Sequence, residues 1–383
     1  MSARYAHGLV VGKFYPPHVG HLRLVSTAAS QCDQVTVVVA AATWESLDLG
    51  RRVEWLGWHA ASFPHVAVTG VLDNHPVDYS DPLVWDAHMG VFMTAASEVS
   101  GGVPIDAVFT GEEYGSEMAR RLGAEHVQLV RPGARPSGTE LRADPSTTWD
   151  DLLPAARVGL AHRIVVVGAE STGTTTLAHQ LAAHYGAAFV PEYGRTWTAA
   201  KLANSREWAF ATGGVLPGMG DLRWTSAEFT RIAARQTAEM DSAAQVGSLV
   251  VADTDALATS VWHDRYVGGP HQPALDLASM TPPDLYLLTT PDGVPFVDDG
   301  LRDGEHVRAD MTRAFEVALD ASGVPWSQVT GDRDARLAQA VRLVDVLLAS
   351  PRFPPHDMHV RGSDGPLPSG LPRPRTAPQE NRP

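Results

Sequence analysis

The chain has 383 residues, 44% apolar and 19% charged, which is too apolar for a disordered chain and enough for two or three cores at roughly 150 residues each. The absence of a run of about 18 apolar residues, the absence of a signal-like N-terminus and a single cysteine, Cys32, argue against a membrane span, secretion and an internal disulfide, so a cytoplasmic protein is expected. A formal net charge of −14 disfavours a nucleic-acid partner, which needs clustered Lys and Arg, but leaves room for a small anionic ligand in one local pocket.

In chain order, Leu9–Val11, Val35–Val39, Val66–Thr69, Ala107–Thr110 and Val127–Val130 are short, apolar and rich in β-branched residues. Helix-like stretches such as His21–Ser30, Arg51–Ser62 and Leu83–Glu98 lie between them. This alternation predicts a parallel sheet with crossover helices over residues 1–143. Residues 144–162 carry Pro145, Trp149 and Pro154 and read as a short packed connector. The strand–helix pattern restarts at Ile164–Val167 and continues through Leu249–Ala252, Leu285–Leu288 and Trp326–Val329, giving a second domain over 163–350. Two doubly wound α/β domains are therefore expected. Residues 351–383 are rich in Pro, Gly, Ser and Arg and are expected to be a disordered tail.

The first strand runs into Gly12-Lys13-Phe14-Tyr15-Pro16-Pro17-His18-Val19-Gly20-His21, with a helix behind it. Gly12 and Gly20 allow close backbone approach to a ligand, and the helix start offers free N–H groups and a positive dipole end. His18 and His21, three apart, can share one face and donate to phosphate oxygens as charge develops. Lys13 adds a point charge. Two incidental histidines in a solvent-facing turn are the plain alternative. A metal site on the pair lacks the neighbouring cysteine or carboxylate cluster it would need. After the fifth strand comes Pro136-Ser137-Gly138-Thr139-Glu140-Leu141-Arg142. Its hydroxyls can cap a helix or bind phosphate, with Arg142 completing a clamp.

Together these segments resemble the HxGH superfamily of nucleotidylyltransferases, whose patterns are GxFxPxHxGH and ISxTxxR. Every fixed position of the first is present. In the second, Ser137, Thr139 and Arg142 match while Pro136 replaces the isoleucine. The resemblance implies adenylyl or cytidylyl transfer from a nucleoside triphosphate with release of pyrophosphate. His18, His21, Lys13 and Arg142 would be catalytic, and Gly12, Phe14, Gly20, Ser137 and Thr139 would bind ATP.

The second domain opens with a strand, then Gly168-Ala169-Glu170-Ser171-Thr172-Gly173-Thr174-Thr175-Thr176, then a helix. This is the context of a phosphate-binding P-loop. Gly168, Ser171, Gly173 and Thr176 fit it, and Thr175 stands at the Mg²⁺-binding hydroxyl. Thr174 stands where the lysine belongs. A glycine-rich turn before a helix is the alternative. Glu192-Tyr193-Gly194-Arg195, Asp253-Thr254-Asp255 and Asp298-Asp299-Gly300-Leu301-Arg302 each follow a strand, as ligand-binding residues of an open α/β sheet do.

The order of the two motif sets closely resembles the NadR-type bifunctional family, over about residues 5–350. That family joins nicotinamide-mononucleotide (NMN) adenylyltransferase to ribosylnicotinamide kinase. By resemblance, the first domain makes NAD from NMN and ATP, and the second phosphorylates ribosylnicotinamide with ATP and Mg²⁺. Glu192 would be base or ribose contact, Thr175 and Asp253 would hold Mg²⁺, and Arg195, Arg302 and Arg308 would neutralise phosphate. Turnover without the loop lysine stays open. The alternatives are an adenylyltransferase with a non-catalytic nucleotide-sensing P-loop domain, and an HxGH enzyme for another phosphorylated acceptor. Trp85 is either a platform for a nicotinamide ring or a core residue. Some members of the family carry an N-terminal DNA-binding segment; none precedes the first strand here, and no nucleic-acid partner is expected. A homo-oligomer is compatible with the sequence.

Overall fold

The structure is a computed structural model of the chain that describes residues 4–78, 80–129, 137–302 and 304–354. These residues form two compact units, one of residues up to 160 together with those from 351, the other spanning 161–350. Each unit is built on a five-stranded, all-parallel sheet.

In the first unit β1 (Tyr5–Gly12), β2 (Cys32–Ala41), β3 (Val66–Leu72), β4 (Ala107–Thr110) and β5 (Glu125–Gln128) take the order β3-β2-β1-β4-β5. Helices α1 (Val19–Gln31), α2 (Leu49–Ala60), α3 (Pro82–Ser100) and α4 (Gly115–Leu122) are the crossovers. A sheet covered on both faces asks for continuous apolar strands. Leu9, Val10, Val35, Val37, Val38 and Val39 meet that demand with no exposed surface. Local signals set the helix ends. In α3, Asp81 accepts from Leu83 N at 2.8 Å, Pro82 opens the first turn, and Gly101 closes it at φ 61°. The strand order reverses beside β1, which opens a crevice at the carboxyl ends of β1 and β4.

Of the stretch read from sequence as a connector, residues 144–160 fold as part of this unit, and His162 already opens the first strand of the second. After α5 (Gly138–Ala143) the chain makes a 3-10 turn (Trp149–Asp151) and α6 (Pro154–Leu160). Leu152 and Leu153 are fully buried, each worth about 1.5–3 kcal/mol. Gly159 lies so close to Trp55 that a Cβ there would sit 2.1 Å from the indole. Leu152 bridges His18, and Leu153 N donates to Pro17 O at 3.2 Å, so the connector braces the histidine motif. Of the expected tail, residues 351–354 also pack here, with Phe353 buried edge-on against Tyr15. Residues 355–383 lie outside the described residues, as do Val130 and Pro136.

In the second unit β6 (His162–Gly168), β7 (Ala188–Val190), β8 (Leu249–Asp253), β9 (Leu285–Thr289) and β10 (Trp326–Val329) take the order β10-β9-β6-β8-β7. Helices α7 (Thr174–Tyr185), α8 (Tyr193–Thr212), α9 (Ser226–Val246), α10 (Ala256–Tyr266), α11 (Gln272–Met280), α12 (Arg308–Ser322) and α13 (Arg333–Leu348) cover it. The order reverses at β6, and the loop from β6 to α7 leaves at that switch point. Among the described residues, no helix is long and apolar enough to cross a membrane.

Candidate active sites

In the first unit a cleft of about 600 Å³ opens over the end of β1. It is lined by the Gly12–Tyr15 turn, the start of α1 and the start of α5. His18 is the N-cap of α1. Its Nδ1 accepts from Gly20 N at 3.0 Å, and His21 Nδ1 accepts from His18 N at 3.2 Å. Each Nδ1 is therefore an acceptor, so each ring carries its hydrogen on Nε2. The rings lie 3.7 Å apart, and His21 also packs on Phe14 at 4.7 Å. Two N–H donors are thus oriented by backbone at a helix N-terminus, where an anion is favoured. Gly20 is needed for this: a Cβ would lie 2.8 Å from His18 Cε1 and 2.9 Å from Nδ1. Phe14, on the cleft lining, holds a left-handed φ of 47°, a strained conformation that its burial at 1% exposure keeps in place.

The second wall is α5. Ser137 caps it, its Oγ accepting from Glu140 N at 3.3 Å while Glu140 accepts from Ser137 N at 2.6 Å. Arg142 donates to Tyr15 O at 2.7 Å and to Thr139 Oγ1 at 3.1 Å. The sequence motif therefore converges with the histidines on one cleft. Lys13, half-exposed, pairs with Glu45 at 2.9 Å, and buried Arg52 holds the other Glu45 oxygen at 2.6 Å. Burial pushes the Glu45 carboxyl up, but the hydrogen bonds from Lys13 and Arg52 more than reverse it and hold it low. Tyr15 lies between two guanidiniums, Arg52 at 4.5 Å and Arg142 at 5.0 Å from its ring centre. Sequence reading does not single out Glu45 and Arg52, which carry no motif, or Tyr15, which stands at a variable position inside the histidine motif. Trp85 is 6% exposed in the core of the unit, between α3 and the sheet, and takes the core alternative.

In the second unit the P-loop wraps a cavity of about 200 Å³. Gly168 admits no side chain, because a Cβ would meet Thr289 Oγ1 at 2.4 Å and Thr172 Oγ1 at 2.7 Å. Gly173 at φ 89° and Ser171 at φ 57° turn the loop before α7. Thr175 Oγ1 donates to Asp253 Oδ2 at 2.5 Å, and the Thr174 hydroxyl also bonds Asp253. Burial pushes the Asp253 carboxyl up, against those two hydrogen bonds. Glu192, half-buried at the start of α8, is pushed up to about 8, first by desolvation and then by the Asp253 charge. Two carboxylates thus crowd one site beside a hydroxyl, a donor set of hard oxygens that fits Mg²⁺. In the Asp253-Thr254-Asp255 run the second acid is different: Asp255 caps α10 and accepts from Tyr286 Oη at 2.5 Å.

The expected phosphate cations divide. Arg195 and Arg302 line the cavity, and both pair with Asp299. Arg308 is a correction: it is 4% exposed and donates to the carbonyls of Ser171 at 3.1 Å and Val294 at 3.0 Å. A guanidinium spent on backbone carbonyls supports the loop and does not reach the cavity. Arg336, which the sequence did not single out, does the same work through Thr172 O at 2.6 Å and Thr290 O at 2.9 Å. Two more residues escaped sequence reading. Gln236, 1% exposed, accepts from Tyr193 N at 2.8 Å and donates to Thr254 O at 3.2 Å, tying α8 to the end of β8. Thr254 is held at φ 73°, an outlier for a β-branched residue, on the cavity wall. The far end of the cavity is aromatic, with Trp224, Phe229, Trp262 and Tyr266. Lys201 Nζ lies 4.3 Å over the Trp224 ring.

Comparison with known proteins follows the same division. The AAA domain family matches residues 163–336. The trifunctional NAD biosynthesis/regulator protein NadR of Escherichia coli is 25% identical over 365 residues, covering 90% of this chain and 84% of that protein. The Salmonella typhimurium protein of the same name is 24% identical, covering 89% and 83%. A nicotinamide-nucleotide adenylyltransferase of Caldivirga maquilingensis is 22% identical over 152 residues, 38% of this chain and 82% of that one. A crystal structure of NadR protein in complex with NR superposes with a TM-score of 0.57 at 21% identity, covering 91% of this chain and 98% of that one. A second, of NadR protein with NAD and AMP-PNP, gives 0.56 at 20% identity, covering 89% and 96%. The fold is shared across both units, and the chain is homologous to the NadR proteins.

Proposed function

We propose that the chain serves NAD biosynthesis, its first unit transferring the adenylyl group of ATP to nicotinamide mononucleotide to give NAD and pyrophosphate. The observation that carries this reading is the histidine pair, with both Nδ1 atoms tied to backbone and both rings presenting Nε2–H at a helix N-terminus. As NMN phosphate attacks the α-phosphorus, negative charge grows on the α-phosphoryl oxygens and the leaving pyrophosphate. Preorganised donors stabilise that charge without reorganisation. Arg142, Ser137 and Thr139 face the triphosphate from the opposite wall, and Lys13 reaches it by exchanging Glu45 for phosphate. Positioning does the rest, and no covalent intermediate is needed.

The second unit is read as a ribosylnicotinamide kinase. Thr175 and Asp253 would hold Mg²⁺, which would supply charge neutralisation at the phosphates. In its ionised form Glu192 would accept the ribose hydroxyl hydrogen as that oxygen attacks the γ-phosphorus and ADP leaves. The aromatic end of the cavity suits a flat nitrogenous ring. The test uses the full chain. NMN, ATP and Mg²⁺ should yield NAD and pyrophosphate, and no NAD would refute the first reading. With His18→Ala and His21→Ala combined, ribosylnicotinamide and ATP should yield NMN that accumulates, and its absence would refute the kinase.

A further inference from the structure

We infer that the first unit carries a divalent transition-metal site, of the kind that takes Zn²⁺, formed by Asp73, His75 and His88 in the connection from β3 to α3. The three side chains each offer one ligand atom, and these atoms lie within 4.8 Å of one another. Asp73 divides its carboxylate: Oδ1 lies 2.9 Å from His75 Nδ1, and Oδ2 lies 2.6 Å from His88 Nδ1. Two imidazoles and one carboxylate form a borderline donor set, suited to Zn²⁺ over the hard ions that want oxygen alone.

A second observation concerns His88. Its Nε2 faces the Pro76 carbonyl at 3.0 Å, so that nitrogen carries a hydrogen. The lone pair left on a neutral ring is then on Nδ1, which is pressed against a carboxylate oxygen. Metal-bound histidines commonly donate their other N–H to a backbone carbonyl, which fixes tautomer and ring direction. The His88 ring is further held by stacking on Phe92, with centres 5.8 Å apart. His75 approaches the same carboxylate from the solvent side, 42% exposed, while Asp73 is 8% and His88 15% exposed. An entry path therefore lies on the His75 side. Bonds of ~2.1 Å in tetrahedral geometry put ligand atoms about 3.4 Å apart, so ion entry asks the carboxylate to part from each imidazole by less than about 1 Å. The fourth position would be water or an anionic ligand. The site lies outside the cleft and the P-loop cavity, and it would staple the Asp73–Asp81 connection to α3.

The test is metal stoichiometry of the full chain, stripped with chelator and dialysed against Zn²⁺ in excess Mg²⁺. The wild type should bind one equivalent of Zn²⁺ more than His75→Ala and one more than His88→Ala. Co²⁺ should give the intense visible absorption of a tetrahedral site in the wild type and lose it in His88→Ala. His75→Ala keeps the fold question separate, because its ring is exposed: its metal-free melting temperature should match the wild type. Equal stoichiometry in wild type and both variants overturns the inference, as does an absence of Co²⁺ absorption. Either result would leave a hydrogen-bonded histidine–carboxylate cluster in place of a metal site.

Discussion

Replacing Gly20 with alanine tests the histidine geometry without touching a histidine. The new Cβ would lie 2.8 Å from His18 Cε1 and 2.9 Å from Nδ1, where ordinary contacts begin at 3.4 Å. The ring must retreat by at least about 0.5 Å, and the 3.0 Å bond from Gly20 N to Nδ1 is lost with it. Loss of a cap costs about 1 kcal/mol. Alanine in place of glycine in a helix returns roughly 0.5–1 kcal/mol. The two nearly cancel, so the melting temperature of a unit of this size should move by less than about 4 °C. The rate does not share this compensation. A donor displaced by a fraction of an ångström, with its tautomer no longer fixed, should cost on the order of 10²-fold in kcat. Steady-state formation of NAD at saturating NMN and ATP, beside thermal melting, reads both quantities. A kcat within about threefold of wild type would refute the claim that the backbone sets the His18 donor.

Four further outcomes follow from the same geometry. His18→Ala or His21→Ala should lower adenylyl transfer by about 10²–10³-fold and leave ribosylnicotinamide phosphorylation intact, measured by assaying each variant for both reactions. Thr175→Ala should do the reverse, since its hydroxyl serves Asp253 in the other unit. Glu192→Gln should flatten a pH dependence of stability: the native carboxyl is raised from its ordinary 4.5 to about 8, so its neutral form is favoured on folding. That contribution is complete below about pH 4.5 and is lost as pH rises through about 8, so the metal-free variant should outlast wild type at pH 9 and match it at pH 4, by melting temperature. Cys32 is buried and burial pushes its thiol up to about 12, so alkylating reagents at pH 8 should label it only when the first unit unfolds, as mass spectrometry would detect.

Both folds are legible in the sequence because the central strands β1, β2, β6, β8 and β9 are apolar runs that the sheet buries on two faces, and their alternation with helical stretches repeats along the chain. Ala107–Thr110 and Trp326–Val329 coincide with their strands. The first strand is longer than its apolar centre, starting at Tyr5, because pairing with β2 extends to Cys32. The packed connector is legible in its apolar pair, Leu152 and Leu153, but which core takes them is decided only by packing, on the side of the first unit. Motif residues were found where spacing is fixed by a loop: His18, His21 and Thr175. Residues that act across the sheet were not. Glu45 and Arg52 reach Lys13 from an adjacent crossover, and Gln236 reaches Tyr193 and Thr254 from α9. Arg308 was legible as a cation near the loop, but sequence does not tell a cation aimed at phosphate from one aimed at carbonyls.

That distinction bears on the missing lysine. A P-loop binds its nucleotide with backbone N–H groups, a metal ion and one side-chain positive charge. Arg308 and Arg336 are spent on carbonyls beneath the loop, so they rigidify it and add little charge at its mouth. Arg195 and Arg302 remain at the cavity, and both are paired with Asp299. The trio of Arg195, Arg302 and Asp299 alone carries a net charge of about +1, set against the Glu192 and Asp253 carboxyls on the same cavity wall. Guanidinium is planar and weakly hydrated, and it can grip phosphate through two parallel hydrogen bonds, which an ammonium cannot. An exchange from Asp299 to phosphate would substitute one oxyanion for another. It would cost little desolvation, because Arg195 and Asp299 are both partly exposed. Thr174, shorter and neutral, then has a task of its own, a second hydroxyl on the Asp253 carboxylate. Lysine at this position would place an ammonium where that hydroxyl now helps to hold the buried acid.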